Sequence, residues 1–212
     1  MFQWINEKQL IEKMIGVLKS PNEADKHNNI AQFLVGMIKT GRCYRQNDSE
    51  TQVDRKSVSN PLLQALEDEN TSKLLLETIL CESRTESSIL SGIQILLCLL
   101  ENPIIQEPVS QSALQQMIDT EKQHHDNIVS SLMIIIQPRI QELHELLLNP
   151  PVVSSINSLN PQQISNCFLI TQQKADFAIT SSLSPPLGIV RLKLCYLFTV
   201  LIETENTTII EE

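Results

Sequence analysis

The chain has 212 residues, of which 42% are hydrophobic and 19% are charged, a balance typical of a globular chain long enough to bury a core. The chain has 16 Lys and Arg residues against 25 Asp and Glu, which gives a formal charge of −9. Because that charge opposes binding to phosphate backbones and anionic lipids, neither a nucleic acid nor a membrane is expected as a partner. Only 5 glycines and 4% aromatic residues argue against a β-sandwich or barrel and favour helices.

The first predicted element is a helical hairpin. Asn6 is a good N-cap, and apolar residues at helical spacing follow it until a Ser-Pro-Asn turn stops the helix. A second helix is predicted over residues 23–40, with Phe33 in its apolar stripe and Gly41 where a helix would terminate. Residues 42–59 are polar and carry no sustained period, which predicts a loop. Because the connecting turn is short, the two helices are expected to pack antiparallel.

Three more helices are predicted in the middle of the chain. Asn60 and Pro61 supply an N-cap and a proline at the first helical position. Either Asn70 or Thr71 is expected to cap the next helix. The third helix, over residues 85–102, is apolar around much of its girth, which is typical of a helix enclosed by neighbours.

The following part of the chain alternates irregular segments with a long helix. Residues 103–126 are predicted to be a loop or weakly ordered insertion with at most one helical turn. A helix follows over residues 127–148, which Pro138 should kink or break. Its segment 132–136 would also suit a strand, but helix is favoured because no partner strand is nearby. Residues 152–184, rich in Ser, Gln and Asn, predict another loop or weakly ordered insertion.

The last helix, predicted over residues 185–205, completes a set of about seven helices separated by Pro and Asn stops. Helix pairs recur roughly every forty to fifty residues, which is the spacing of armadillo or HEAT-type units. The sequence therefore predicts an all-α, armadillo/HEAT-like helical repeat (an α-solenoid segment) in one domain, residues 1–212. Neither terminal helix has the polar outer face of a capping repeat, so a longer solenoid is expected to continue beyond both ends.

Residues suited to catalysis or metal binding are few. The five cysteines lie far apart, which argues against disulfides and a zinc site and indicates a reducing compartment. Adjacent His124 and His125 cannot easily share a metal on a helix, so a solvated loop is favoured for them, and the segment around His144 lacks the second histidine of a zinc helix. We expect no cofactor, no metal and no enzyme activity. The enzymatic alternative is a thiol-dependent hydrolase built on Cys98 or Cys195, although apolar surroundings favour buried structural thiols.

Five segments, in the same order, resemble motifs of the SAPS-domain family. They are W-I-N-E-K from Trp4, N-P-L-L-Q-A-L-E from Asn60, E-S-S-I-L-S-G-I-Q-I-L-L-C-L-L-E from Glu86, H-E-L-L-L-N-P-P from His144, and P-P-L-G from Pro185 followed by R-L. That family comprises regulatory subunits of the protein phosphatase 6 catalytic subunit. The resemblance implies an armadillo-like scaffold, cytoplasmic or partly nuclear, that holds a serine/threonine phosphatase catalytic subunit, with further scaffold proteins as additional partners. The family's domain is longer, so the chain is expected to represent its middle part.

Candidate partner-contact residues are the polar positions opposite the apolar stripes of successive second helices. They are Asn28, Gln32, Ser91, Gln94 and Arg191. For any one of them an ordinary solvated side chain is the simpler interpretation, and the resemblance assigns none of them. The alternative function is a helical-repeat adaptor for transport or trafficking cargo, which only the motif series separates from the phosphatase hypothesis.

Overall fold

The computed structural model of the chain is all-helical wherever it is described, which confirms the all-α prediction. The described residues are 9–21, 23–51, 60–102, 111–151 and 188–204. They form α1 (Leu10–Val17), α2 (Ala24–Thr51), α3 (Pro61–Leu66), α4 (Glu69–Leu80), α5 (Glu86–Leu100), α6 (Gln111–Ile136), a 3-10 turn (Gln137–Arg139), α7 (Ile140–Leu148) and α8 (Gly188–Glu203). Among these helices none has the length and hydropathy needed to cross a bilayer.

The N-cap predicted at Asn60 and the helix start predicted at residue 85 are confirmed. The Asn60 side chain accepts hydrogen bonds from the amides of Leu62 and Leu63, and Pro61 occupies the first position of α3. Thr85 caps α5 in a reciprocal arrangement with Ser88. The Asn6 cap predicted for the first helix lies outside the described residues.

The cap of α4 is Asp68, so the predicted choice between Asn70 and Thr71 was wrong. The Asp68 carboxylate accepts from the Asn70 amide at 2.9 Å. Thr71 lies inside the helix, where its hydroxyl donates to the carbonyl of Ala65 at 2.5 Å. Because the helix already begins at Glu69, neither Asn70 nor Thr71 occupies the capping position.

Pro138 separates α6 from α7 through the 3-10 turn, as predicted, and residues 132–136 are helical. However, α6 begins at Gln111, so the loop predicted over 103–126 was wrong for residues 111–126. Residues 103–110 and the predicted insertion 152–184 lie outside the described part of the chain. The polar residues of α6 that suggested a loop are held by buried partners on other helices, as shown below.

Helix α2 continues past Gly41 to Thr51, so the loop predicted over 42–59 was wrong for residues 42–51; residues 52–59 lie outside the described ranges. Gly41 does not end the helix. A Cβ atom at this position would stand 3.3 Å from the side chain of Leu63, so the glycine instead admits the close approach of α3. Ion pairs of Arg42 and Arg45 stabilise the turns that follow.

Contacts between the helices form two rows, α1–α4–α7 and α2–α5–α8. Helix α5 is central because it packs against α2, α4, α6 and α8. Eleven of its 15 residues are buried, which confirms the prediction of a helix enclosed by neighbours. Helices α3 and α6 complete the packing around the two rows.

Helices α2 and α5 run parallel. Near their N-terminal ends, His27 Nδ1 lies 2.8 Å from Ser87 Oγ. Further along both helices, in the second half of α2 and near the C-terminal end of α5, Arg42 donates to the Cys98 carbonyl at 3.0 Å.

Candidate protein-binding surface

A buried charged cluster joins α2 to α6 and to the end of α3. Glu67, whose side chain is 6% exposed, accepts from Arg42 at 3.2 Å and Arg45 at 3.1 Å, and lies 3.0 Å from His124 Nε2. Arg45 also binds both carboxylate oxygens of Glu121 at 2.9 Å. Burial lowers the pKa of Arg45, but the hydrogen bond to Glu121 and the charges of both carboxylates raise it by more. Two cations thus balance two anions, which makes their burial tolerable.

Arg42 also caps the C-terminus of α5. Its guanidinium donates to the carbonyls of Cys98 at 3.0 Å, Leu99 at 3.1 Å and Glu101 at 3.2 Å. Helix α5 has no basic residue in its own last turn. The cation that satisfies its terminal carbonyls, where the negative end of the helix dipole lies, therefore comes from the neighbouring helix.

His125 lies beside this cap, so the solvated loop predicted for His124 and His125 was wrong. The residue is 6% exposed, and its imidazole lies close to the backbone of Leu100. Burial, followed by the positive charge of Arg42, lowers the pKa of His125 below its ordinary value. The imidazole therefore packs as a neutral group between α5 and α6.

The cluster offers no evident chemistry. Cys98 lies at the end of α5 that Arg42 caps, and burial raises the pKa of its thiol, which disfavours the nucleophilic thiolate. Within the described ranges no three His, Cys, Asp or Glu side chains are grouped so as to hold a metal ion. The cluster instead fixes α2 against the rest of the chain, and with it the surface that α2 presents to solvent.

A cleft between the ends of α4 and α7 has a volume of about 180 Å³. Its charged lining is already engaged, because Arg84 donates to the carbonyls of Leu80 and Cys81 and Glu142 pairs with Arg139. Small-molecule sites usually enclose roughly 300–1,000 Å³ with mainly apolar walls. The cleft is therefore a poor candidate for a ligand site.

All five predicted partner-contact residues lie on the α2–α5–α8 row, but not all reach solvent. Gln32 is exposed and donates to the half-buried Asn28 at 3.3 Å. Gln94 is half-buried, whereas Ser91 is only 4% exposed. Ser91 was expected to face outward; it lies inside the packing because α5 is surrounded by four helices. Partner contact by these residues stays a prediction.

Arg191 is used mainly inside the chain. Its guanidinium donates to the carbonyls of Leu147 at 3.0 Å and Leu148 at 2.9 Å, which caps the C-terminus of α7. Like α5, α7 has no basic residue in its last turn. The residue therefore holds α8 against α7, a role that its polar character alone did not reveal.

Two exposed aromatic side chains on α2 were not among the predicted contacts. Phe33 is 53% exposed and Tyr44 is 65% exposed. They are eleven residues apart, which places them on the same side of the helix at a separation of about 16 Å. The sequence placed Phe33 in the buried stripe; the structure shows that the stripe is narrower, with Ala31, Leu34 and Ile38 fully buried.

Helix α8 also exposes apolar side chains. Leu192 is 48%, Tyr196 41% and Ile202 55% exposed. Cys195 is exposed on the same side, although its apolar surroundings in the sequence suggested a buried thiol. The opposite side of α8 carries a buried stripe of Val190, Leu194, Leu197 and Leu201.

Comparison with known proteins gives a consistent result. Residues 1–212 match the family described as SAPS, SIT4 phosphatase-associated protein. The chain is 28% identical over its full length to serine/threonine-protein phosphatase 6 regulatory subunit 2 of Homo sapiens and covers 19% of that protein. It is also 28% identical to regulatory subunit 3-B of Xenopus laevis and 26% identical to regulatory subunit 1 of Mus musculus, covering 22% and 23% of them. The chain thus spans about a fifth of these relatives. No solved structure matches it.

Proposed function

The chain belongs to the SAPS family of SIT4 phosphatase-associated proteins, and on that premise we propose that it is a regulatory and scaffolding segment of a protein phosphatase 6-type serine/threonine phosphatase. It binds the catalytic subunit and modulates its targeting and activity. The observation that carries the proposal is the family match over every residue, together with relatives that are named regulatory subunits of phosphatase 6. The compartment we propose is the cytoplasm, with partial access to the nucleus.

We further propose that the helices stack as an armadillo/HEAT-like solenoid. In the rows α1–α4–α7 and α2–α5–α8, each helix contacts the third described helix after it. A three-helix period of this kind is how armadillo units cover one another's apolar faces. The parallel alignment of α2 and α5, which His27 and Arg42 join at the start and near the end of α5, supports the same arrangement.

The partner surface proposed for the phosphatase is the exposed side of α2. It combines Phe33 and Tyr44 with polar neighbours that include Asn28 and Gln32. Exposed aromatic residues within a polar rim are typical of interfaces between proteins that also exist apart. The buried charged cluster holds α2 rigid, so little order has to be gained on binding.

The chain is proposed to have no catalytic activity of its own, in line with relatives that are named regulatory subunits. A thiol hydrolase built on Cys98 would need a reactive thiolate in a buried helix where the pKa of the thiol is raised. Alkylation of the folded chain should modify the exposed Cys195 and spare Cys98. Modification of Cys98 at the rate of Cys195 would favour the hydrolase instead.

Co-purification with the phosphatase catalytic subunit tests the proposal. The tagged chain should retain the catalytic subunit, with full-length human regulatory subunit 2 as the positive control. Phe33→Glu and Tyr44→Glu should reduce recovery at least about tenfold. Ile134→Glu, which alters a side chain 72% exposed on α6, should not. Circular dichroism checks that each variant is folded.

Failure of the wild-type chain to retain the catalytic subunit, while the positive control succeeds, would refute the phosphatase proposal. Retention that is lost equally in the Ile134 variant would refute the α2 surface but not the function. Recovery of transport or trafficking cargo without phosphatase would favour the adaptor alternative.

A further inference from the structure

The two halves of α6 are held in the fold by different kinds of contact. In the second half, residues 127–136, the buried apolar side chains are Ile128, Leu132, Met133, Ile135 and Ile136. Of residues 118–126, only Glu121 and His125 are buried, and both are polar. Ile118 is half-buried and lies outside the hydrophobic core. Apolar burial therefore holds the second half of the helix but contributes little to residues 118–126.

Polar and charged contacts join this stretch to the other helices instead. Glu121 binds the Arg45 guanidinium through both carboxylate oxygens at 2.9 Å. His124 Nε2 lies 3.0 Å from a Glu67 oxygen, and His125 packs close to the end of α5. In an open chain the same groups would be hydrated, so contacts of this kind stabilise the closed arrangement less than their number suggests.

The local sequence also gives this stretch little helical support. Residues 119–126 contain no apolar residue. Most of them are weak helix formers, namely Asp119, Thr120, His124, His125 and Asp126. Because short helices without tertiary contacts are marginal in water, the helical state of this stretch depends on its contacts with α2 and with the ends of α3 and α5.

We propose that the first half of α6, residues 111–126, is a strap that opens and closes as a unit while residues 127–136 stay packed. Opening separates Glu121 from Arg45 and His124 from Glu67. It leaves Arg42 bound to Glu67 and to the terminal carbonyls of α5, so α2 and α5 stay joined. Local opening of this kind is expected where few apolar contacts resist it.

Opening of the strap changes the charge of α2 beside one of its exposed aromatic residues. Arg45 directly follows Tyr44, and once Glu121 has left, Arg42 and Arg45 share the Glu67 carboxylate. The excess positive charge can then be neutralised by an acidic group of a partner in place of Glu121. The strap and the partner therefore compete for Arg45. This consequence rests on the proposed function, in which α2 binds the phosphatase.

Native-state hydrogen exchange of the full chain at neutral pH tests the strap. A helical amide bonds to the carbonyl four residues before it, so opening of the strap exposes the amides of residues 115–130 and spares those of residues 131–136. Glu121→Gln should accelerate exchange at least about tenfold in the first range and less than about twofold in the second. Lys122→Gln, an exposed neighbouring change, should alter neither range.

Two results of this experiment would overturn the strap. If Glu121→Gln accelerates exchange equally in both ranges, α6 opens as one body. If it accelerates neither range, Glu121 does not hold the helix closed. Circular dichroism of each variant checks that the rest of the chain is folded.

The competition for Arg45 has a separate test, which is calorimetric titration of the chain with the phosphatase catalytic subunit. Glu121→Gln should tighten binding by roughly threefold to tenfold, because the internal competitor is weakened. In an Arg45→Gln background the same change should have no effect. Unchanged affinity of the Glu121→Gln chain would refute the competition. A wild-type chain that does not bind would refute the proposed function, whereas the exchange experiment, which needs no partner, decides the strap by itself.

Discussion

Replacing Arg42 by Ala should destabilise the chain more than any surface change. The guanidinium, 7% exposed, donates to the Glu67 carboxylate and to the carbonyls of Cys98, Leu99 and Glu101. Removing one member of a buried ion pair costs about 3–5 kcal/mol. Carbonyls left without a donor add about 1–3 kcal/mol each where water cannot reach them. Glu67 keeps Arg45 and His124 as partners, which reduces the first contribution, so the carbonyls supply most of the loss and we expect a total of at least about 4 kcal/mol.

Urea denaturation followed by circular dichroism at 222 nm would measure this loss as a lower midpoint at unchanged slope. The thermal midpoint should fall by about 10 °C for a chain of this length. Arg42→Lys should lie in between, because one ammonium cannot span four acceptors. The control is Arg139→Ala. The Arg139 side chain is 33% exposed and pairs with Glu142, which is 48% exposed, so its removal should lower the free energy of unfolding by less than about 1 kcal/mol. If Arg42→Ala costs no more than this control, the proposed role of the cap is refuted.

Gly92→Ala should cost about 1–2 kcal/mol, because the new methyl group would stand 2.6 Å from Ile79 Cγ1 between α4 and α5. Gly36→Ala should stabilise the chain by about 0.5–1 kcal/mol, because no atom lies within 4 Å of the added Cβ atom. Equal urea midpoints for the Gly92 and Gly36 variants would contradict both expectations. Stability should also fall as the pH drops below about 6.5, because burial and the charge of Arg42 lower the pKa of His125 and the unfolded chain therefore takes up the proton more readily. Thermal melts from about pH 7.5 to about pH 5.5 should show a smaller decline for His125→Gln, and parallel declines would show that another group is responsible.

Helix boundaries that depend on local chemistry could be predicted from the sequence. Pro138 lacks an amide hydrogen and clashes with the preceding turn, so the break that it causes needs no knowledge of the fold. Asn60 and Thr85 likewise act on amides within their own first turns. These interactions span three or four residues, which is the range that spacing in a sequence reveals.

The full lengths of α2 and α6 could not be predicted, because distant residues stabilise their polar turns. Arg45 pairs with Glu121, 76 residues further along the chain. Each residue alone suggests solvent exposure, and only the folded chain shows that Glu121 is buried and that Arg45 is partly buried against it. A polar stretch in a helical repeat can therefore be an internal contact as well as a loop.

The candidate surface was predictable only in outline. The sequence placed all five candidates on one row of helices, but the exposure of each side chain depends on how closely the neighbouring helices approach. Ser91 is buried where α5 is enclosed, whereas Phe33 and Cys195 are exposed on sides of α2 and α8 that no other described helix covers. No periodicity within one helix contains that information.

The arginine caps make the stability of one helix depend on another that is distant in sequence. Arg42 and Arg191 satisfy the ends of α5 and α7 from 43 to 59 residues away. Stacked helices that contact only their neighbours can unfold progressively from one end. Here the unfolding of α2 would also leave the terminal carbonyls of α5 without their hydrogen-bond donor. Native-state hydrogen exchange should accordingly show that α2 and α5 unfold as one unit. A partner that binds α2 would therefore slow the exchange of amide hydrogens in α5 as well.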